Sequence, residues 1–121
     1  MDLRELVEES HWMSVIKGWW GDAAMSASRP LAVDHLEVAA KLALVHSEVS
    51  EALECVRDGL YKPYENAERR GKPEGLPSEL ADVVIRVADL CGALGIDLDE
   101  AIRTKMAYNA TRTHRHGGRN L

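Results

Sequence analysis

The stretch DHLEVAAKLALVHSEVSEALECVRDGL, residues 34–60, decides the architecture of this chain. It contains no proline, and its first glycine is Gly59. Asp34 and Glu37 stand at the spacing of a capping box, in which two side chains satisfy free backbone N–H groups at a helix start. The run that follows is rich in Ala, Leu and Glu, residues that lose little on entering a helix. The spacing predicts one long helix from Asp34 to about Leu60.

Toward the N-terminus, Leu3, Leu6, Val7, Met13 and Ile16 recur at helical spacing and predict an amphipathic helix from Asp2 to about Lys17. Gly18, Trp19, Trp20, Gly21 and Asp22 interrupt it, and the chain stays irregular to Pro30. Toward the C-terminus, Pro63, Gly71, Pro73, Gly75 and Pro77 make Tyr61 to Pro77 a loop. A third helix is expected from about Ser78 to Leu94, with Gly95 as a left-handed stop. Asp97 and Glu100 repeat the capping spacing and open a fourth helix, to about Thr113. The expectation is an all-α, four-to-five-helix bundle in one domain, 1–121. Within it lie an N-terminal helix and loop (1–32), the chemistry-bearing helices (33–113) and a basic, Gly-containing tail (114–121).

Composition narrows the function. The net charge of −5 argues against nucleic-acid binding driven by the phosphate backbone, which needs a basic surface. Yet 103–121 has no acid and holds Arg103, Lys105, Arg112, Arg115 and Arg119, so an acidic middle faces a basic end. Cys55 and Cys91 lie in apolar helical stretches outside any CxxC pattern, as small core residues of a reducing compartment do. Acids follow Met1 directly, and no apolar run approaches membrane-spanning length; a cytoplasmic, membrane-free protein is expected.

Two carboxylate pairs carry the chemistry. Glu48 and Glu51 are three residues apart, as are Glu79 and Asp82, so each pair lies on one side of its helix, one turn apart. Val45, Val49, Ala52 and Leu53 flank the first pair, and Leu80, Ala81, Val83 and Val84 the second. Acids beside a core-forming stripe are costly unless neutralised. Two like charges about 4 Å apart repel by about 4 kcal/mol at an effective dielectric near 20. Four converging carboxylates call for a cation, and hard oxygen ligands select Mg²⁺, Mn²⁺ or Ca²⁺. The plainer reading is helix acids paired with Lys41 or Arg86. On the fourth helix Lys105, Asn109 and Arg112 share one face and make a clamp for phosphate oxygens, unless they only complement the helix dipole. Gly117, Gly118 and Arg119 add exposed N–H groups and charge.

Together, Glu48-Val-Ser-Glu51, Glu79-Leu-Ala-Asp82 and Lys105-Met-Ala-Tyr-Asn109-Ala-Thr-Arg112 resemble the MazG-like all-α nucleotide pyrophosphohydrolase family, over about Val33 to Arg119. The resemblance implies that Glu48, Glu51, Glu79 and Asp82 bind Mg²⁺, with Mn²⁺ possible. It implies that Lys105, Asn109, Arg112 and, less centrally, Arg119 contact substrate phosphates. The implied reaction converts a nucleoside triphosphate to its monophosphate and pyrophosphate, in a homodimer or homotetramer that completes the bundle. Many members carry two adjacent acids at the start of the first motif; here Ser47, after His46, takes the extra position. Glu54, one turn beyond Glu51, is then the candidate base, with His46 the weaker option, alongside Glu48 and Glu51 as catalytic residues. Trp12, Trp19 and Trp20 lie outside the match and either stack on a base or fill a core or interface. Two other classes stay open: a non-catalytic helical module that binds a nucleotide or partner, and a di-metal carboxylate bundle. The latter is disfavoured because neither Glu48 nor Glu79 has a His three residues on.

Overall fold

The computed structural model describes residues 1–112. The chain is all-α in architecture: α1 (Leu3–Ile16), α2 (His35–Arg57), α3 (Leu76–Leu94) and α4 (Leu98–Thr111). The Asp34 carboxylate accepts from Glu37 N–H at 2.8 Å, and Asp97 accepts from Glu100 N–H at 3.0 Å. These are the first halves of the expected boxes. The complete, reciprocal box sits at Asp2 and Glu5, where α1 begins. Gly95 ends α3 at φ 69°, the left-handed conformation expected of it.

The segment expected to be a bare loop carries a small hairpin. β1 (Tyr64–Asn66) and β2 (Lys72–Glu74) pair antiparallel, Tyr64 opposite Glu74 and Asn66 opposite Lys72. Its base is closed by Leu76 N–H donating to Leu60 C=O at 2.8 Å. Gly75, at φ 101°, sits against the Lys62 carbonyl, where a side chain has no room. The third helix starts at Leu76 rather than Ser78, because Pro77 occupies the first turn, where no N–H is missed.

The centre of the fold is α3, packed on α1 along one side and α2 along the other. The core is made mostly of small residues: Ala88, Cys91 and Ala93 of α3 beside Leu90, Ala52 and Cys55 of α2, and Val15 of α1. Helix α1 comes so close to α3 that a Cβ added at Gly92 would collide with the side chain of His11. The Leu31 N–H donates to Ala93 C=O at 2.8 Å and pins the α1–α2 connection to the same helix.

Two parts of the chain are poorly covered. Helix α4 packs on α1 and has no buried residue. On α2, Leu42, Val49, Leu53 and Val56 form one stripe, each 40–50 % exposed. At 100° per residue that stripe lies roughly a third of a turn from the face carrying Glu48, Ala52 and Cys55 against α3. Among the described residues no large side chain is fully buried.

Candidate metal and phosphate site

The acids of α2 and α3 meet across the seam between these helices. Glu48, Glu51 and Glu79 each bring one carboxylate oxygen to within 4.8 Å of the others. Glu48 and Glu79 are buried and Glu51 is exposed, so the cluster opens to solvent on one side. Glu79 Oε2 is buried and has no hydrogen-bond partner among the described residues. Burial first, then the Glu51 carboxylate alongside it, pushes the Glu79 carboxyl above the usual carboxylate range. Three convergent carboxylates, one of them carrying a buried oxygen with no hydrogen-bond partner among the described residues, fit a hard divalent cation.

Asp82 stands outside this group of three. It is exposed and lines, with Glu48 and Arg86, a cavity between α1, α2 and α3. Burial, followed by the nearby Glu48 charge, raises its carboxyl; Arg86 and then Lys72 pull it the other way. The structure therefore brings together three of the four sequence-matched acids and sets the fourth beside Glu48.

Arg86 contributes more than the sequence suggested. Its Nε donates to Glu48 Oε1 at 2.6 Å, one of the pairings that the plainer reading of these acids foresaw. Lys41 does not join it; Nζ donates to the Trp19 carbonyl at 2.8 Å. Glu54 faces a recess shared with Glu51 and Glu79, and it accepts from Arg57 Nη1 at 2.8 Å. His46 and Ser47 are exposed, and the Ser47 hydroxyl donates to Leu44 C=O.

Lys105, in the middle of α4, Asn109, near its end, and Arg112, its C-terminal cap, are all exposed. Lys105 Nζ lies 5.2 Å and the Arg112 guanidinium 6.0 Å from the Tyr108 ring centroid. No hydrogen bond or ion pair among the described residues joins them to the carboxylates. Arg119 lies outside the described residues, as does the rest of the basic tail from 113 on.

Sequence reasoning passed over one polar group. His11 Nδ1 lies 2.9 Å from Asp89 Oδ1, and Trp20 Nε1 donates to the same oxygen at 2.8 Å. Trp20 is thus half-buried and anchored, whereas Trp12 and Trp19 are about half exposed. The signal was a lone acid in the apolar run Val87-Ala-Asp89-Leu-Cys91, which requires a partner when it faces the core.

Among known proteins, a 37-residue stretch is 51 % identical to a protein of Cyanophage S-2L named dATP/dGTP diphosphohydrolase. That stretch is 31 % of this chain and 35 % of the relative, so the chain spans about a third of the relative's length. No family model matches the chain, and no solved structure matches it. No helix among the described residues is long and apolar enough to cross a membrane.

Proposed function

We propose that this chain is a divalent-metal-dependent nucleoside triphosphate pyrophosphohydrolase of the MazG-like all-α type, releasing a monophosphate and pyrophosphate. The observation that carries this reading is the convergence of Glu48, Glu51 and Glu79, with a buried oxygen of Glu79 that has no partner among the described residues. The cyanophage relative, whose name gives it dATP and dGTP as substrates, supports the same reaction class.

Glu48, Glu51 and Glu79 would hold the cation, Mg²⁺ or Mn²⁺, with Asp82 at its margin. When bound, such a cation neutralises triphosphate charge and makes a nearby water more acidic. Glu54 takes the proton of the attacking water from across the recess it shares with Glu51 and Glu79. The water oxygen adds to the α-phosphorus, the bond to the α–β bridging oxygen breaks, and pyrophosphate leaves with that oxygen. Lys105, Asn109 and Arg112 grip the phosphates, with Arg119 as a further cation.

The reading includes a homo-oligomer, a dimer or tetramer. The exposed apolar stripe on α2 and the uncovered α4 support it, because a second copy would bury the first and bring a phosphate-gripping helix to the carboxylates. Supplying a panel of nucleoside triphosphates with Mg²⁺ and separating the products tests the reaction. Monophosphate with pyrophosphate is expected; diphosphate with orthophosphate would place the chain in another class of hydrolase.

A further inference from the structure

We propose that the cavity between α1, α2 and α3 seats the nucleotide's base, and that Asp89 selects a base bearing an exocyclic amino group. This rests on the reading of the chain as a nucleotide hydrolase and names the substrate class of that same site.

The cavity measures about 250 Å³. That is below the roughly 300–1,000 Å³ of pockets that enclose a whole drug-sized ligand, and it suits one heterocycle rather than a triphosphate. Its apolar surface comes from Met13 and Trp19 on the α1 side, Leu44 of α2 and Ile85 of α3, set among polar and charged side chains. Glu48 and Asp82 form its edge toward the carboxylate cluster. Because Glu48 belongs to both the cavity and the carboxylate cluster, a ring seated here brings the rest of its nucleotide within reach of the acids. The Arg86 guanidinium, 5.2 Å from the Trp19 ring centroid, joins the two regions, because the same side chain binds Glu48.

Asp89 lines the cavity together with the cations Arg86, Lys17 and Lys41, and Lys41 is already engaged by the Trp19 carbonyl. Asp82, Arg86 and Asp89 follow one another at four- and three-residue steps, so they form one stripe of α3. His11 and Trp20 both hold Asp89 Oδ1, which fixes the carboxylate's rotation. Oδ2 has no hydrogen bond among the described residues, and 16 % of the side chain remains exposed. A carboxylate held this way accepts and cannot donate. The complementary group on a base edge is an amino group, as in adenine, guanine or cytosine. Thymine and uracil set carbonyl oxygens on both sides of their one N–H, and a carbonyl oxygen meeting the carboxylate is repelled. Sites built to hydrogen-bond a substrate group discriminate strongly against analogues lacking it.

Asp89→Asn tests the assignment. His11 and Trp20 keep the amide oxygen where Oδ1 was, so the NH₂ group replaces Oδ2 and an acceptor becomes a donor. The kcat/KM ratio of dATP, dGTP and dCTP over dTTP should fall about tenfold or more. The ratio of dITP, which carries a carbonyl where dATP carries the amino group, should rise against dATP. Trp20→Phe removes one anchor of Oδ1 and should shift the ratios in the same direction by less. It serves as the readout if Asp89→Asn does not fold. Binding of dAMP, dGMP, dCMP and dTMP in EDTA, followed by tryptophan fluorescence, needs no turnover. Amino-base preference in binding without any cleavage would leave the base seat standing and sink the hydrolase reading. Cleavage with no amino-base preference would sink the base seat and leave the hydrolase. Equal losses on every triphosphate in both variants would reduce Asp89 to a structural anchor and overturn the proposal.

Discussion

Arg86 holds Glu48 through a 2.6 Å contact from Nε to Oε1, and so places a fixed positive charge beside a cluster of acids. Glu48 is 9 % exposed and Arg86 28 %, so the pair is only partly shielded from water. Removing one partner of a fully buried pair costs about 3–5 kcal/mol; Arg86→Ala should cost less, about 2–3 kcal/mol, in metal-free protein. Much of that loss should return with Mg²⁺, because a bound cation neutralises the same carboxylate. Urea titrations of the variant with EDTA and with Mg²⁺ measure both effects. An equal loss under both conditions would show that Arg86 acts by packing alone.

Mg²⁺ or Mn²⁺ should raise the melting temperature of the wild type, since a ligand that binds only the folded state stabilises it by mass action. Glu51→Gln and Glu79→Gln should remove the response. Asp82→Asn should weaken it less, because Asp82 lies outside the three-oxygen cluster. Identical melting curves in EDTA and Mg²⁺ would eliminate the site.

The phosphate stripe should act on substrate and not on the bare metal. Lys105→Ala and Arg112→Ala should each lower kcat/KM by a factor of about ten to a hundred, the cost of one charge-assisted contact. Their Mg²⁺-induced stabilisation should match the wild type. If sites are shared between copies, co-refolding Lys105→Ala with Glu51→Gln chains should restore part of the activity that each lacks alone. Wild-type turnover by both basic-residue variants would reduce the stripe to a solvated face.

Light scattering at micromolar concentration should show at least a dimer. Leu53→Glu puts a charge in the exposed stripe of α2, away from the buried face, and should shift the mass toward one chain while helicity is kept. A wild-type monomer would leave that stripe unexplained.

The hairpin should respond to pH through Glu74. The Tyr64 hydroxyl at 2.8 Å, followed by the Asn66 amide, holds the Glu74 carboxyl below its ordinary value. A carboxyl depressed in the folded state adds stability above its unfolded value and loses it as pH falls through the folded one. Carbon NMR of the Glu74 carboxyl should therefore show a titration below the usual range. In Tyr64→Phe it should move upward, toward the ordinary value. An unchanged titration in the variant would remove Tyr64 as the cause.

Local chemistry was legible in the sequence. Asp34, Asp97 and Gly95 mark helix ends because caps depend on neighbours within one turn. The hairpin was not, since strands of three residues show no alternation and Pro73 argues against one. The spacing of Glu79 and Asp82 set both on one side of α3, but not which of them turns into the seam with α2. That depends on the helix's rotation, which the packing of Ala88, Leu90 and Ala93 decides. The bonds from His11 and Trp20 to Asp89 join residues 78 and 69 positions apart, a distance that no periodicity spans.

The absence of a side chain at Gly92 has a consequence for how this molecule can change. It lets α1 settle onto α3 deeply enough for His11 to reach Asp89. Asp89, which would choose the substrate, sits on α3 beside the acids that would cleave it, but the two side chains that hold it in place belong to the opening helix and the turn after it. Such a division leaves selectivity free to drift through substitutions in the first twenty residues, with the hydrolytic machinery untouched. A larger residue at position 92 would push His11 away from Asp89 and loosen the choice of base, while the acids of α2 and α3 stay on their own helices.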